Sequence, residues 1–264
     1  METATLSILA DTQSQSDSRR IPIDRVGVKG LRYPMQVRDK AHAIQHTIAT
    51  VTLTVDLPHH FKGTHMSRFV EVLNEFGPEL HVDNIHTILR ELVARLDSEK
   101  AHVEFDFPYF LEKRAPVSGA IGLMDYGVRF SATIEKGAVD FVVTVLVPVT
   151  TLCPCSKAIS DQGAHNQRGL VTFAVRSTTP IWIEELTRLV EDCASSELYS
   201  LLKRTDEKAV TERAYANPVF VEDLVRNVAS RANREPRIIW YRVEAENFES
   251  IHNHSAYALV EKRK

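Results

Sequence analysis

The chain has 264 residues, 44% hydrophobic and 25% charged, the balance of an ordinary globular protein long enough to bury a core without staples. Its formal net charge of −3 gives no broad cationic field and argues against a nucleic-acid partner. Three cysteines, an odd number, no secretory signal, and no apolar run near the roughly eighteen residues that cross a bilayer point to a reducing cytoplasm, with neither a disulfide framework nor a membrane segment.

Residues 1–24 are polar, rich in Ser, Thr and Gln, and read as a mobile tail. A strand is expected around residues 30–37, GLRYPMQV, and a second at 49–57, where ATVTLTVDL alternates apolar and polar side chains with the period of a half-buried strand. HMSRFVEVLNEF then sets Met66, Phe69, Val70 and Leu73 at helical spacing, and NIHTILRELVARL sets Ile85, Ile88, Leu89, Leu92 and Val93 on one helical face. HVEFDFPYF (102–110) and GVRFSATIE (127–135) alternate again as strands.

The same order recurs. DFVVTVLVPV (140–149) and GLVTFAV (169–175) read as strands, residues 181–202 and 217–232 as helices, and IIWYRVEAEN (238–247) with SAYALVEKR (255–263) as strands. Asn217 and Pro218 form an N-cap and first-turn pair for the last helix. A ββααββ unit present twice, at 25–137 and 138–264, predicts an α+β fold of two antiparallel sheets, each with a helix pair on one face. The bare faces favour a homo-oligomer, although sheet-on-sheet packing within one chain would also cover them.

The stretch TLCPCSKAISDQGAHNQRG (151–169) holds the densest chemistry. Cys153 and Cys155 are too close in sequence for a relaxed disulfide. C-P-C is also not a zinc-ribbon pair, and no second pair exists to close a four-thiolate site. Two unrelated thiols are the plain alternative, set against a polar loop carrying Lys157, His165 and Arg168. A thiolate and an imidazole together suit zinc or a similar divalent ion. A third, carboxylate ligand could come from Asp206, Glu207 or Glu212, each equally readable as part of a solvated charge run. Cys193 differs: it falls with Trp182, Leu186, Leu189 and Val190 on an apolar face, so core packing explains it.

Two further clusters have both a chemical and a plain reading. Glu249, His252 and His254 crowd the connection between the last two strands, as an acid/base histidine aligned by a carboxylate or as a polar hairpin. Lys62, His65 and Arg68 surround the start of the first helix, as an anion site or as solvated cations. No Walker-type or dinucleotide-type glycine motif occurs.

Taken together, KGTHMSRF, APVSG, PVTTLCPCSKAIS, GAHNQRG, LLKRTDEKAVTE, NPVFVEDLVR and ENFESIHNHSAYA resemble GTP cyclohydrolase I of the type IB class, in the tunnelling-fold superfamily, over nearly the whole chain after the tail. The resemblance implies two fused tunnelling-fold units in a barrel-forming homotetramer with active sites at subunit interfaces. It implies conversion of GTP and water to 7,8-dihydroneopterin triphosphate and formate, at the entry to folate-type pterin synthesis. Carried over residue by residue, it puts a divalent metal (zinc, manganese or iron) on Cys153, His165 and Glu207, and Glu222 on the guanine edge. Cys155, Glu249 and His252 become proton-transfer or supporting groups. Lys62, His65 and Arg68 become weaker triphosphate candidates. The competing expectations are a tunnelling-fold nitrile reductase with a cysteine nucleophile and a nicotinamide cofactor, and a non-catalytic purine- or pterin-binding metalloprotein.

Overall fold

The computed structural model describes residues 13, 15–77 and 82–264. Residues 1–12 and 14 of the expected tail lie outside the described residues. The first half runs β1 (Ile23–Asp39), β2 (Ala43–Leu57), α1 (Met66–Phe76), a short 3-10 turn (Val82–Asn84), α2 (Ile85–Leu96), β3 (Lys100–Arg114) and β4 (Ile121–Glu135). The second half runs β5 (Ala138–Leu152), α3 (Pro154–Ile159), β6 (Asn166–Ser177), α4 (Ile183–Glu191), β7 (Ser196–Glu197), α5 (Arg204–Ala216), α6 (Val221–Arg234), β8 (Ile238–Phe248) and β9 (Ser255–Arg263).

The strands form one antiparallel sheet in the order β1-β2-β3-β4-β5-β6-β8-β9, with β7 paired to β5. This corrects the expectation of two sheets. The cause is local: Glu135 pairs with Ala138, and the two residues between them, Lys136 (φ 50) and Gly137 (φ 80), both take positive φ. Such a two-residue turn matches the twist of its flanking strands, so β4 passes directly into β5 and the sheet continues.

Register sorts the two faces. Val51, Phe105, Phe130, Val143, Val175 and Tyr241 pair across successive strands and are all buried. One residue away, the row reads Thr50, Asp106, Arg129, Thr144, Ala174, Arg242 and Glu261. Successive side chains point to opposite faces, so the first row is the core and the second the open face. Helices cover the apolar side: α1 packs on β1, α2 on β2, β3 and β4, α4 on β5 and β6, and α6 on β8 and β9.

The long helix expected over 181–202 is not formed. α4 stops at Glu191, whose buried carboxylate takes the Lys113 ammonium at 2.8 Å and the Tyr126 hydroxyl at 2.6 Å. Lys113 also pairs with Glu197. This cluster turns the chain back onto β5. The charge run at 204–216 is instead a helix, α5. Asn217 is therefore the C-cap of α5, its Nδ2 donating to the Ala194 carbonyl at 2.8 Å, and Phe220 precedes α6. Cys193 is core, as expected: 4% exposed, with its thiol donating to the Leu189 carbonyl at 3.1 Å and pushed by burial up to about 11. Among the described residues no helix is long and apolar enough to cross a membrane.

Candidate active site

β5 and β6 pair up to Leu152 and Asn166, which sets Cys153 and His165 side by side just past the ladder. The Cys153 N–H donates to the His165 carbonyl at 3.1 Å. Cys153 has extended backbone and caps α3, with Pro154 in the first turn and the Ser156 N–H donating to its sulfur at 3.3 Å. Proline fits there because it has no N–H to leave unsatisfied. Ser156 also accepts the His165 N–H on its hydroxyl at 3.3 Å, so one residue ties both partners. Cys155 is exposed on α3.

Among the described residues, the polar contacts of the His165 ring are all made by Nδ1: Gln167 Oε1 at 3.1 Å, Ser250 Oγ at 3.4 Å and Glu249 Oε2 at 3.7 Å. Gln167 is buried, and its amide donates to Thr151 Oγ1 at 3.0 Å. The Glu249 Oε2 atom is buried without a hydrogen-bond partner among the described residues. Glu249 thus faces His165, whereas the sequence reading had it aligning a histidine of its own connection. His252 and His254 instead stack on each other, 5.1 Å between centroids and 15° between planes, in an exposed position.

The three carboxylates left open as a third ligand separate cleanly. Asp206 is fully buried and used by four hydrogen bonds. Glu212 pairs with Lys208 at 2.5 Å. Glu207, in the first turn of α5, is exposed, and its carboxylate has no hydrogen bond or ion pair among the described residues. No group of three or more His, Cys, Asp or Glu among the described residues stands close enough to hold a metal, so Glu207 is not gathered with Cys153 and His165 in this one chain. The donors themselves do fit a divalent ion: a thiol beside an imidazole that is held through one nitrogen with the other left over, as metal-ligating histidines are held.

Glu222 is exposed in the first turn of α6. Lys62, His65 and Arg68 flank the start of α1, which packs on β1, away from the end of β5; Arg68 donates to the Arg95 carbonyl at 2.8 Å. A cavity of 910 Å³ opens between the β1–β2 turn and α4, lined by Lys113, Arg188 and Glu191 among others, and none of the expected site residues lines it. The sequence reading missed Thr151, Ser156 and Gln167, and weighed Asp206 only as a ligand, not as the buried anchor of four hydrogen bonds. Two of these had a signal: Ser156 stands three residues after Cys153, the spacing of an N-cap bond, and Gln167 two after His165, the spacing of one strand face.

Residues 9–258 match the family model described as type I GTP cyclohydrolase folE2. Proteins named GTP cyclohydrolase FolE2 from Akkermansia muciniphila (62% identity, 96% of this chain and 97% of that one), Syntrophus aciditrophicus (59%, 96% and 100%) and Methylobacillus flagellatus (57%, 100% and 99%) are similar over essentially their full lengths. Among solved structures, uricase from Arthrobacter globiformis aligns over 91% of this chain and 93% of its own, with a TM-score of 0.53 at 9% identity. A highly active mutant of Bacillus sp. TB-90 urate oxidase aligns over 91% and 99%, with a TM-score of 0.53 at 8% identity. These two speak to the fold alone, an α+β arrangement with a mostly antiparallel sheet. The match along residues 9–258, with relatives at 57–62% identity, places this chain in the type I GTP cyclohydrolase folE2 family.

Proposed function

We infer that this chain hydrolyses GTP to 7,8-dihydroneopterin triphosphate and formate at the start of folate biosynthesis. The observation that carries the reading is the family match over nearly the whole chain. The finer reading, a metal-dependent enzyme of the type IB class, is supported by the Cys153–His165 pair with Glu249 behind the imidazole.

In that reading Cys153, His165 and Glu207 hold a divalent ion (zinc, manganese or iron). The ion would supply Lewis acidity to the water that attacks guanine C8. The chain's own residues do the rest. Gln167 accepts the His165 Nδ1–H, with the Glu249 carboxylate 3.7 Å away on the same side, which would leave Nε2 for the ion. Glu222 accepts the guanine N1–H and 2-amino hydrogens, a bidentate pattern that suits a carboxylate. His252 moves protons as the imidazole ring opens and formate leaves. Cys155 supports the ligand loop, and Lys62, His65 and Arg68 are candidates for the triphosphate. We place residues 25–137 and 138–264 as two fused tunnelling-fold units behind a 1–24 tail, assembled as a barrel-forming cytoplasmic homotetramer. The α5 head, which carries Glu207, would complete its site in that assembly.

Anaerobic reconstitution with zinc, manganese or iron and GTP, following formate release and the fluorescent pterin formed after oxidation, tests the reading. The expected result is metal-dependent release of one formate per pterin. Binding of GTP without formate under every metal would overturn it in favour of a non-catalytic metalloprotein, and nicotinamide-dependent reduction of a nitrile without added metal would favour the reductase.

A further inference from the structure

The connection between β3 and β4 is closed on itself: the Ala115 N–H donates to the Ala120 carbonyl at 2.9 Å, and the Gly119 N–H to the Ala115 carbonyl at 3.1 Å. From this loop the Val117 and Ser118 N–H groups both donate to Asp206 Oδ1 at 2.8 Å, and the Ser118 hydroxyl donates to Oδ2 at 2.6 Å. The Lys203 N–H adds a fourth bond to Oδ2 at 2.9 Å. Asp206 has no accessible surface. The start of β4 also packs closely on the segment that leads into α5, since a Cβ built on Gly122 would lie 2.5 Å from Ser200 Oγ.

The next residue is Glu207, exposed and unengaged among the described residues. The other end of α5 is tied to the thiol's strand: the Val219 N–H donates to the carbonyl of Leu152, the residue before Cys153, at 3.0 Å, and Lys157 of α3 donates to the Tyr215 carbonyl at 2.5 Å. α5 is therefore fixed at both ends, at its tail beside Cys153 and at its head, among the described residues, by the side chain of Asp206.

We propose that Asp206 is the positioning residue for Glu207: by anchoring the head of α5 to the β3–β4 loop, it fixes where the Glu207 carboxylate is presented to the Cys153–His165 pair that it meets in the assembly. The proposal rests on the reading in which Glu207 is a metal ligand. The chemistry is demanding because all four partners present hydrogens and a carboxylate offers acceptors only. An asparagine keeps the volume but must turn its NH₂ toward one pair of donors. With the amide at the Oδ2 position, the Ser118 hydroxyl can reverse, but the Lys203 N–H at the helix head is left unpaired.

The test is zinc and manganese affinity of the full-length protein, by competition with a chromophoric chelator, together with kcat and KM for GTP at limiting and saturating metal. Asp206→Asn should weaken metal binding roughly 10–100-fold, the usual effect of losing a residue that orients a ligand. Its kcat should recover to within a few-fold at saturating metal, because Glu207 is still present. A Val228→Ala variant, destabilised through the core, should keep wild-type metal affinity, which separates positioning from lost stability. If Asp206→Asn does not fold, Ser118→Ala removes one of the four bonds and should weaken metal binding in the same direction by less. Wild-type metal affinity in a folded Asp206→Asn, or in Ser118→Ala where it is needed, overturns the proposal. Unchanged metal affinity in Glu207→Gln overturns the ligand reading instead, so the two failures are distinct.

Discussion

Ser156 bonds to both members of the Cys153–His165 pair, giving its N–H to the sulfur and accepting the histidine N–H on its hydroxyl. The pair is therefore held by backbone and by Ser156, and the sulfur can be removed without dismantling the loop. We expect Cys153→Ala to keep the fold, losing one cap bond worth about 1 kcal/mol, while losing most bound metal and nearly all turnover. Elemental analysis checks this, and full metal occupancy in the variant would remove Cys153 as a ligand. Binding and chemistry separate at two other residues. Glu222→Gln replaces an acceptor oxygen with a donor facing the purine hydrogens, a mispairing that costs about 1–3 kcal/mol, so GTP affinity should fall sharply. His252→Ala should leave most of the affinity and slow the chemical step roughly 10²–10⁴-fold. Equilibrium binding of GTP to both variants, with metal content checked, decides between these roles, and lost binding in His252→Ala would make that residue a substrate contact.

At the scale of the element, α4 and the turn after it carry a pH dependence. Burial raises the Cys193 thiol from 9.0 to about 11. The unfolded chain releases that proton near pH 9 and the folded chain near pH 11, so between these values the unfolded state binds fewer protons and stability falls as pH rises. The contribution is intact well below pH 9, and about 3 kcal/mol, two units at about 1.4 kcal/mol each, is lost once the pH has passed 11. The difference in unfolding free energy between the wild type and Cys193→Ala should be flat below pH 9 and decline through that window; a difference flat to pH 11 would refute the assignment. The strands were legible because their alternation is a direct image of one buried face, as in Ala49, Val51, Leu53 and Val55. α5 was not, because only Asp206 and Ala214 along it are buried and it shows no apolar stripe. α4 was read too long because Cys193 and Ala194 stay buried after the helix has ended. The Cys153–His165 pair was readable as two ligand types in one loop, but the bond of Gln167 to Thr151 and those of Asp206 to the β3–β4 loop join segments distant in sequence, which no spacing encodes.

For the whole molecule, the sheet ends in two strands paired on one side only. β1 is 17 residues long, and among the described residues it pairs with β2 and no other strand, as β9 does with β8. Unpaired edges of that length recruit other strands unless they are protected. The face opposite the helices is mixed: between its polar rows it exposes Ile48 (52%), Leu123 (62%) and Tyr257 (56%), with Ile44, Phe110 and Leu259. A sheet with one covered face and one such open face is half of a layered structure. Pairing β9 of one copy with β1 of the next satisfies the edges and turns the open faces inward. We expect a homotetramer, with a sedimentation mass about four times the 29.8 kDa chain. Leu259→Arg places an unpaired cation on the open face of β9, where association would desolvate it. It should shift the protein toward smaller species and lower GTP turnover in parallel, since sites completed at an interface are lost with it. A wild-type chain that sediments as a stable, active monomer would remove both the tetramer and the shared site. A Leu259→Arg variant that dissociates yet keeps full turnover would leave the assembly standing and return the whole site to one chain.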